Sequence, residues 1–103
     1  MQELVKFTGS GGILTAHLMC EIDHHTAKRI RERIDKELFE YRPDVLVLDF
    51  QRVTFMDSSG IAVLLNAWRR MGQLKGTVEV RQVPEQAQRV LQAAGLERLL
   101  KFV

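Results

Sequence analysis

Cysteine is almost absent from this sequence, since Cys20 is the single one among 103 residues. One thiol cannot form an internal disulfide, so a reducing, cytoplasmic setting is the simplest expectation. No apolar run reaches the ~20 residues that a membrane-spanning helix needs. Residues 1–6 also lack the pattern of a secretory signal peptide. The length predicts a single domain over residues 1–103, with one core and no membrane partner.

A strong excess of charge of one sign is missing too. The formal net charge is +2, although the sequence pI is about 9.0. The densest basic cluster comprises Lys28, Arg29, Arg31 and Arg33, and acidic residues follow within it at Glu32, Asp35, Glu37 and Glu40. Such mixing is typical of a solvated helix face, whereas nucleic-acid binding needs a cleaner basic patch. We therefore expect no direct nucleic-acid partner.

Motifs for catalysis are missing as well. A hydrolytic serine needs a base and an orienting acid, and the G-x-S-x-G pattern of a nucleophile elbow is absent. The histidines are His17, His24 and His25, and the last two open a predicted helix, where we expect them to be exposed or capping. No Cys, His and carboxylate cluster has metal-ligand spacing, and no Gly-Lys-Ser/Thr loop could cradle a phosphate. The sequence predicts no enzyme, cofactor or metal.

Hydrophobic periodicity predicts strands that alternate with helices after an initial hairpin. Strands are expected at residues 4–7, 13–21, 45–50 and 77–83, with a turn over residues 9–12. Helices are expected at residues 23–40, 58–71 and 84–94, and the apolar residues after Gly95 predict a short helix and an edge strand. This order predicts an α/β fold with a mixed sheet, and right-handed crossovers would place the helices on one face.

Each predicted helix carries apolar residues at helical spacing, which we assign to the core. The three stripes are Ala27, Ile30, Ile34 and Leu38; Ile61, Leu64, Leu65 and Trp68; and Ala87, Val90, Leu91 and Ala94.

The tetrapeptide Asp57-Ser58-Ser59-Gly60 stands between a buried strand and the second helix. Asp57 is predicted to cap that helix, with Ser58 and Ser59 at its first two positions. A helix N-terminus favours an anion, and a phosphate fits there. Glycine is unfavourable inside a helix. Gly60 therefore indicates that another group approaches the backbone closely, either a neighbouring strand or the side chain of a partner.

Two blocks of residues resemble the STAS family, and within it the sporulation-type anti-sigma factor antagonists. They are Glu21-Ile22-Asp23-His24-His25-Thr26-Ala27 and Phe55-Met56-Asp57-Ser58-Ser59-Gly60. The resemblance covers nearly the whole chain and implies a mixed sheet of four or five strands with helices packed on one face. Two departures are Cys20, where the family often has glycine, and a further C-terminal helix of close relatives that has no counterpart up to Val103.

The resemblance also implies a function. Members of this branch bind an anti-sigma factor that is also a serine kinase, and binding releases the sigma factor. The kinase phosphorylates the serine that matches Ser58, which breaks the complex, and a serine phosphatase restores it. Asp23 matches the acidic residue beside the phosphorylation site. The expected contact and switch residues are Asp23, His24, His25, Asp57, Ser59 and Gly60.

Two other functions remain open from the sequence. A non-switching STAS scaffold, or an accessory subunit of a transport or sensor assembly, would use the tetrapeptide only as a helix cap. A small nucleotide-binding or nucleotide-hydrolysing protein would need the phosphate loop and the base that the sequence lacks. In the switching hypothesis, Asp57 shapes the local field, Ser59 supports the turn and Gly60 permits close approach of the kinase.

Overall fold

The sheet of this protein follows the order of the chain, β1-β2-β3-β4-β5. The computed structural model describes residues 3–103. Its elements are β1 (Val5–Ser10), β2 (Ile13–Leu18), α1 (Ala27–Tyr41), β3 (Val45–Asp49), α2 (Ser59–Gln73), β4 (Thr77–Arg81), α3 (Glu85–Ala93), a 3₁₀ helix (Leu96–Arg98) and β5 (Lys101–Phe102). β1 is antiparallel to β2, and the other neighbours are parallel.

This topology confirms the predicted α/β fold with a mixed sheet, and the sheet has five strands where four or five were expected. Each helix connects two neighbouring parallel strands in the same direction along the sheet, so right-handed crossovers place all three helices on one face. Leu14, Ala16 and Leu18 of β2 point to that face and are buried. Thr15 and His17 alternate with them and therefore belong to the face opposite the helices.

The hairpin turn is shorter than the sequence predicted. Gly9 and Ser10 are paired with Leu14 and Ile13, so they belong to β1, and only residues 11 and 12 form the turn. Gly11 has a φ of 60°, which suits glycine. The prediction of a turn beginning at Gly9 was wrong because Gly9 pairs with Leu14 in the hairpin. Glycine is needed there since a Cβ would clash with the ring of Tyr41.

The predicted core stripe of α1 is confirmed, but that of α2 is only partly correct. The buried residues of α2 are Gly60, Val63, Leu64, Ala67 and Met71. Gly60 and Ala67 are small, so the helix backbone can approach its neighbours closely along this line. Ile61 and Leu65 are consequently half-buried, and Trp68 is 42% exposed beside a groove of about 670 Å³ that Leu99 also lines.

In α3, Ala87 and Leu91 are buried as predicted. Val90 is half-buried, and Ala94 is exposed just beyond the end of the helix at Ala93. The predicted short helix and edge strand after Gly95 are confirmed. Among the helices of residues 3–103, none combines the length and the hydrophobicity that crossing a bilayer requires.

Candidate functional site

The two sequence blocks around Asp23 and Ser58 meet in space through a backbone bridge. The N–H of Ile22 donates to the carbonyl of Phe55 at 2.9 Å, and the N–H of Asp57 donates to the carbonyl of Ile22 at 3.0 Å. Ile22 and Met56 therefore pair as a parallel bridge outside the main sheet. α1 begins at Ala27, at the end of the first block, and α2 begins at Ser59, inside the second block. The N-termini of α1 and α2 therefore lie at the same end of the molecule.

Asp57 binds the first turn of α2 as the sequence predicted. Its Oδ1 accepts from the N–H of Ser59 at 2.7 Å, and its carbonyl accepts from the N–H of Gly60 at 3.0 Å. Ser58 has helical dihedral angles, φ −62° and ψ −16°, although the helix is assigned only from Ser59. The side chain of Ser58 makes no capping hydrogen bond and the residue is exposed. Its hydroxyl is therefore available to a group that approaches from outside.

Asp23 caps a turn that precedes α1. Its Oδ1 accepts from the N–H groups of His25 and Thr26 at 2.9 and 3.1 Å. Thr26 returns the interaction, because its Oγ1 accepts from the N–H of Asp23 at 3.1 Å. This reciprocal arrangement is that of a capping box. The predicted cap is present, but α1 begins later than expected, at Ala27, since residues 23–26 form the capped turn.

The hydrogen bonds of this turn shift the pKa of the Asp23 carboxyl. Partial loss of hydration raises the pKa of Asp23, but the N–H groups of Thr26 and His25 outweigh that effect and hold the pKa below its usual value. Asp23 and Asp57 thus bring two carboxylates to the end of the molecule where the positive ends of two helix dipoles lie.

His24 and His25 are exposed beside Asp23, as the sequence predicted. Their ring centroids are 3.9 Å apart, and the ring planes are tilted by 39°. Within residues 3–103, no group of three or more His, Cys, Asp and Glu side chains is arranged to hold a metal ion. The two exposed imidazole rings lie at the end of the molecule where α1 and α2 begin.

Gly60 is buried, and the group that approaches it closely is internal. A Cβ at this position would overlap the Sδ and Cγ atoms of Met56, a side chain that is 0% exposed. The sequence indicated a close approach and left open whether a strand or a partner makes it. In the structure, the preceding residues of the same segment make it. The close contact that Gly60 permits is therefore with Met56, and the kinase role expected for this glycine needs a different basis.

One residue of this site had no sequence signal. The Oε1 of Gln86 accepts from the N–H of Met56 at 2.9 Å, and its Nε2 donates to the carbonyl of Met56 at 2.8 Å. Gln86 lies in the first turn of α3, where a glutamine is ordinarily a solvated surface residue. A contact between residues 30 positions apart leaves no trace in local periodicity.

The third histidine lies elsewhere, on the face opposite the helices. His17 Nδ1 is 3.1 Å from Asp49 Oδ2, and His17 Nε2 is 3.1 Å from the hydroxyl of Thr8. Arg81 Nη2 also donates to Asp49 Oδ2, at 3.2 Å. This row joins four adjacent strands and positions no base near Ser58, so it cross-links the sheet rather than serving the candidate site.

Comparisons with known proteins identify relatives of the whole fold. The model of the STAS domain matches residues 5–103. The anti-sigma F factor antagonist of Paenibacillus polymyxa is 32% identical over 89 residues, which cover 86% of this chain and 76% of that protein. The solved structure of the anti-sigma factor antagonist SpoIIAA in its unphosphorylated form has a TM-score of 0.82 at 24% identity, covering 96% of this chain and 87% of that one.

A second solved structure is that of the Bacillus cell fate determinant SpoIIAA in the phosphorylated form. It has a TM-score of 0.73 at 24% identity and covers 96% of this chain and 90% of that one. At these identities the structural matches establish the fold, which is the five-strand mixed sheet with three helices described above.

Proposed function

Because this chain belongs to the STAS domain family, we propose that it acts as an anti-sigma factor antagonist that is switched by phosphorylation of Ser58. In its unmodified form it binds an anti-sigma factor that is also a serine kinase, and the sigma factor is released. Phosphate transfer from ATP to Ser58 ends that binding, and a serine phosphatase reverses the modification. The protein itself is the substrate and binding partner and carries out no catalysis.

The position of Ser58 carries this proposal. Its hydroxyl is exposed and free of capping bonds, in the first turn of α2 and directly after the Asp57 cap. A kinase needs such an accessible hydroxyl, and SpoIIAA, a protein of similar fold, has been solved with and without phosphate. Ser59 is half-buried, so of the two serines Ser58 is the better acceptor.

The local electrostatics support a switch that leaves the fold intact. A phosphate adds roughly −1.5 to −2 charges at pH 7. The N-terminus of α2 favours that charge, because its first turn contains no acidic residue. The carboxylates of Asp57 and Asp23 oppose it. Because these effects oppose each other, the phosphate should change the local structure little. Its main effect would be new negative charge on the binding surface.

The proposed contact surface surrounds Ser58 and consists of Asp23, His24, His25, Asp57 and Ser59. The backbone bridge between Ile22 and Met56 holds the two contributing segments side by side. A partner that covers the exposed histidines would therefore also cover the Ser58 hydroxyl, so the kinase would bind and modify one surface.

Phosphorylation is tested by incubating the chain with its kinase-type anti-sigma factor and ATP, followed by mass spectrometry. We expect one phosphate on Ser58 in the wild type and in Ser59→Ala, and none in Ser58→Ala. Absence of phosphate from Ser58 in the wild type would overturn the proposal. Full activity of Ser58→Ala in the cell, including its regulation, would instead favour the non-switching scaffold.

Binding provides the second test, with variants matched in size. Ser58→Asp adds a negative charge, whereas Ser58→Asn adds a side chain of similar volume without charge. We expect Ser58→Asp to bind the anti-sigma factor more weakly than Ser58→Asn, as measured by calorimetry at low and high salt. The difference should shrink at high salt, because exposed charges are screened. Equal binding by Ser58→Asp and the wild type would contradict a charge-based switch.

A further inference from the structure

The segment from Phe55 to Asp57 is hydrogen-bonded on two sides. On one side, the carbonyl of Phe55 and the N–H of Asp57 pair with the backbone of Ile22. On the other side, the N–H and carbonyl of Met56 itself pair with the amide of Gln86. The segment from Phe55 to Asp57 thus resembles the middle strand of three, with a glutamine side chain in place of the third strand.

The single N–H of Met56 is therefore used by Gln86, and its carbonyl already accepts one hydrogen bond from the same amide. A primary amide offers one acceptor and two donors in a planar group, which matches the N–H and carbonyl of a single residue. Glutamate could accept from the Met56 N–H but could not donate to its carbonyl when ionised. Alanine could do neither and would leave both backbone groups to water.

Met56 also fixes the first turn of α2 through its side chain. Its thioether is fully buried and lies against Gly60, two residues beyond Ser58. The backbone of Met56 is held by Gln86, and its side chain fills the space next to Gly60. Ser58 lies between these two anchored positions, so its direction depends on both.

Gln86 is itself held in place by the start of α3. Pro84 precedes the helix with a φ of −68° and a ψ of 156°, which fixes how the chain enters it. Ala87, the next residue after Gln86, is buried with Leu91 against the core. The amide is therefore mounted on a helix that packs on the sheet, and it can act as a fixed support for the acceptor segment.

We propose that Gln86 is a positioning residue for phosphorylation of Ser58: its amide holds Met56 so that the Ser58 hydroxyl points along the line of attack on the γ-phosphate of ATP. This inference rests on the proposed function. In-line transfer requires the hydroxyl oxygen to attack phosphorus while the ADP oxygen leaves and the serine proton passes to a base of the kinase. A displacement of about 1 Å can cost about 100-fold in rate.

The test compares Gln86→Ala with Gln88→Ala, a matched change at an exposed position of the same helix. The anti-sigma factor kinase and ATP are used with the full chain, and kcat and KM for the chain are measured separately. We expect Gln86→Ala to lower kcat by about 10- to 100-fold with KM within about 3-fold of the wild type. Gln88→Ala should match the wild type, and Gln86→Glu should fall between the two.

Folding is controlled in the same experiment. Urea unfolding checks that each variant is folded under assay conditions, and hydrogen exchange is followed at the amide of Met56. We expect faster exchange there in Gln86→Ala than in Gln88→Ala. A folded Gln86→Ala with the wild-type kcat and KM would overturn the positioning role alone. A wild-type chain that takes no phosphate on Ser58 would overturn the proposed function itself.

Discussion

Met56 fills, with its thioether, the space that any side chain at Gly60 would need. Both residues are buried, and they lie on either side of the exposed Ser58. The glycine therefore serves the packing of the chain on itself. A residue type that looked like an opening for a partner instead lets the segment before Ser58 pack closely against the first turn of α2.

Replacing Gly60 with alanine should destabilise the protein. Helix propensity alone would favour alanine by up to about 1 kcal/mol, but overpacking against Met56 costs about 1–3 kcal/mol. We expect a net loss, measured as a lower urea midpoint with an unchanged slope. The control is Gly72→Ala in the same helix, where a Cβ meets open space. That variant should gain about 0.5–1 kcal/mol, and equal effects at both glycines would contradict the packing role.

The clash at Gly60 should disappear when Met56 is shortened. Met56→Ala alone should cost about 2–5 kcal/mol, since it removes a buried side chain. In that background, adding Gly60→Ala should be neutral or stabilising, because the new methyl group enters the vacated space. A double-mutant cycle in urea measures this coupling. Strict additivity of the two changes would mean that the two side chains do not compete for one space.

The cap at Asp57 should be worth about 1 kcal/mol of unfolding free energy. Asp57→Ala removes the acceptor of the 2.7 Å bond from the Ser59 N–H, whereas Asp57→Asn keeps an oxygen there. We expect a loss of about 0.5–2 kcal/mol for alanine and only a few tenths for asparagine, measured by urea unfolding. A similar loss in both variants would assign the effect to charge rather than to capping.

The carboxylate of Asp49 should make the free energy of unfolding depend on pH in the acid range. Burial raises the pKa of its carboxyl, but the Gln51 N–H and the Arg81 guanidinium outweigh burial and hold the pKa below the usual value. The pKa of Asp49 is lowered in the folded state from about 3.8 in the unfolded chain. The carboxylate therefore contributes its full stabilisation of the folded protein at pH values above 3.8, and this contribution is lost as the pH falls through the pKa of the folded state.

The measurement compares the wild type with Asp49→Asn in urea from pH 7 to pH 2. We expect the variant to be less stable by about 1–3 kcal/mol at pH 7. The gap should narrow as the pH drops below about 4. A gap that stays constant down to pH 2 would show that the carboxylate charge contributes nothing and that only shape matters at this position.

Sequence periodicity predicted the order of elements and the α1 core because those patterns are local. It was only partly correct for the core face of α2, because Val63, Ala67 and Met71 recur at helical spacing, and so do Ile61, Leu65 and Trp68. Which of these two stripes is buried depends on which side of α2 can approach the rest of the fold closely. The small residues Gly60 and Ala67 allow that approach on the buried side. Gly9 was assigned to the turn because its role also depends on a distant residue. The ring that covers it belongs to Tyr41, far along the chain.

The candidate site shows the same division. The caps at Asp57 and Asp23 were predictable, because capping joins residues that are two or three positions apart. The pairing of Gln86 with Met56 could not be predicted, because it joins the start of α3 to the segment before α2, and these meet only after folding. The capping residues could be chosen from the sequence, while the residue that supports them from α3 required the three-dimensional arrangement.

The bond between Gln86 and Met56 has a consequence for a chain that is still being synthesised. Gln86 follows Met56 by 30 residues, so Ser58 leaves the ribosome well before the side chain that supports its segment. Ile22 has already been made by then, and only half of the support is present. A kinase that needs the complete geometry would pass over nascent and truncated chains, and phosphorylation of Ser58 would thereby report that α3 has folded.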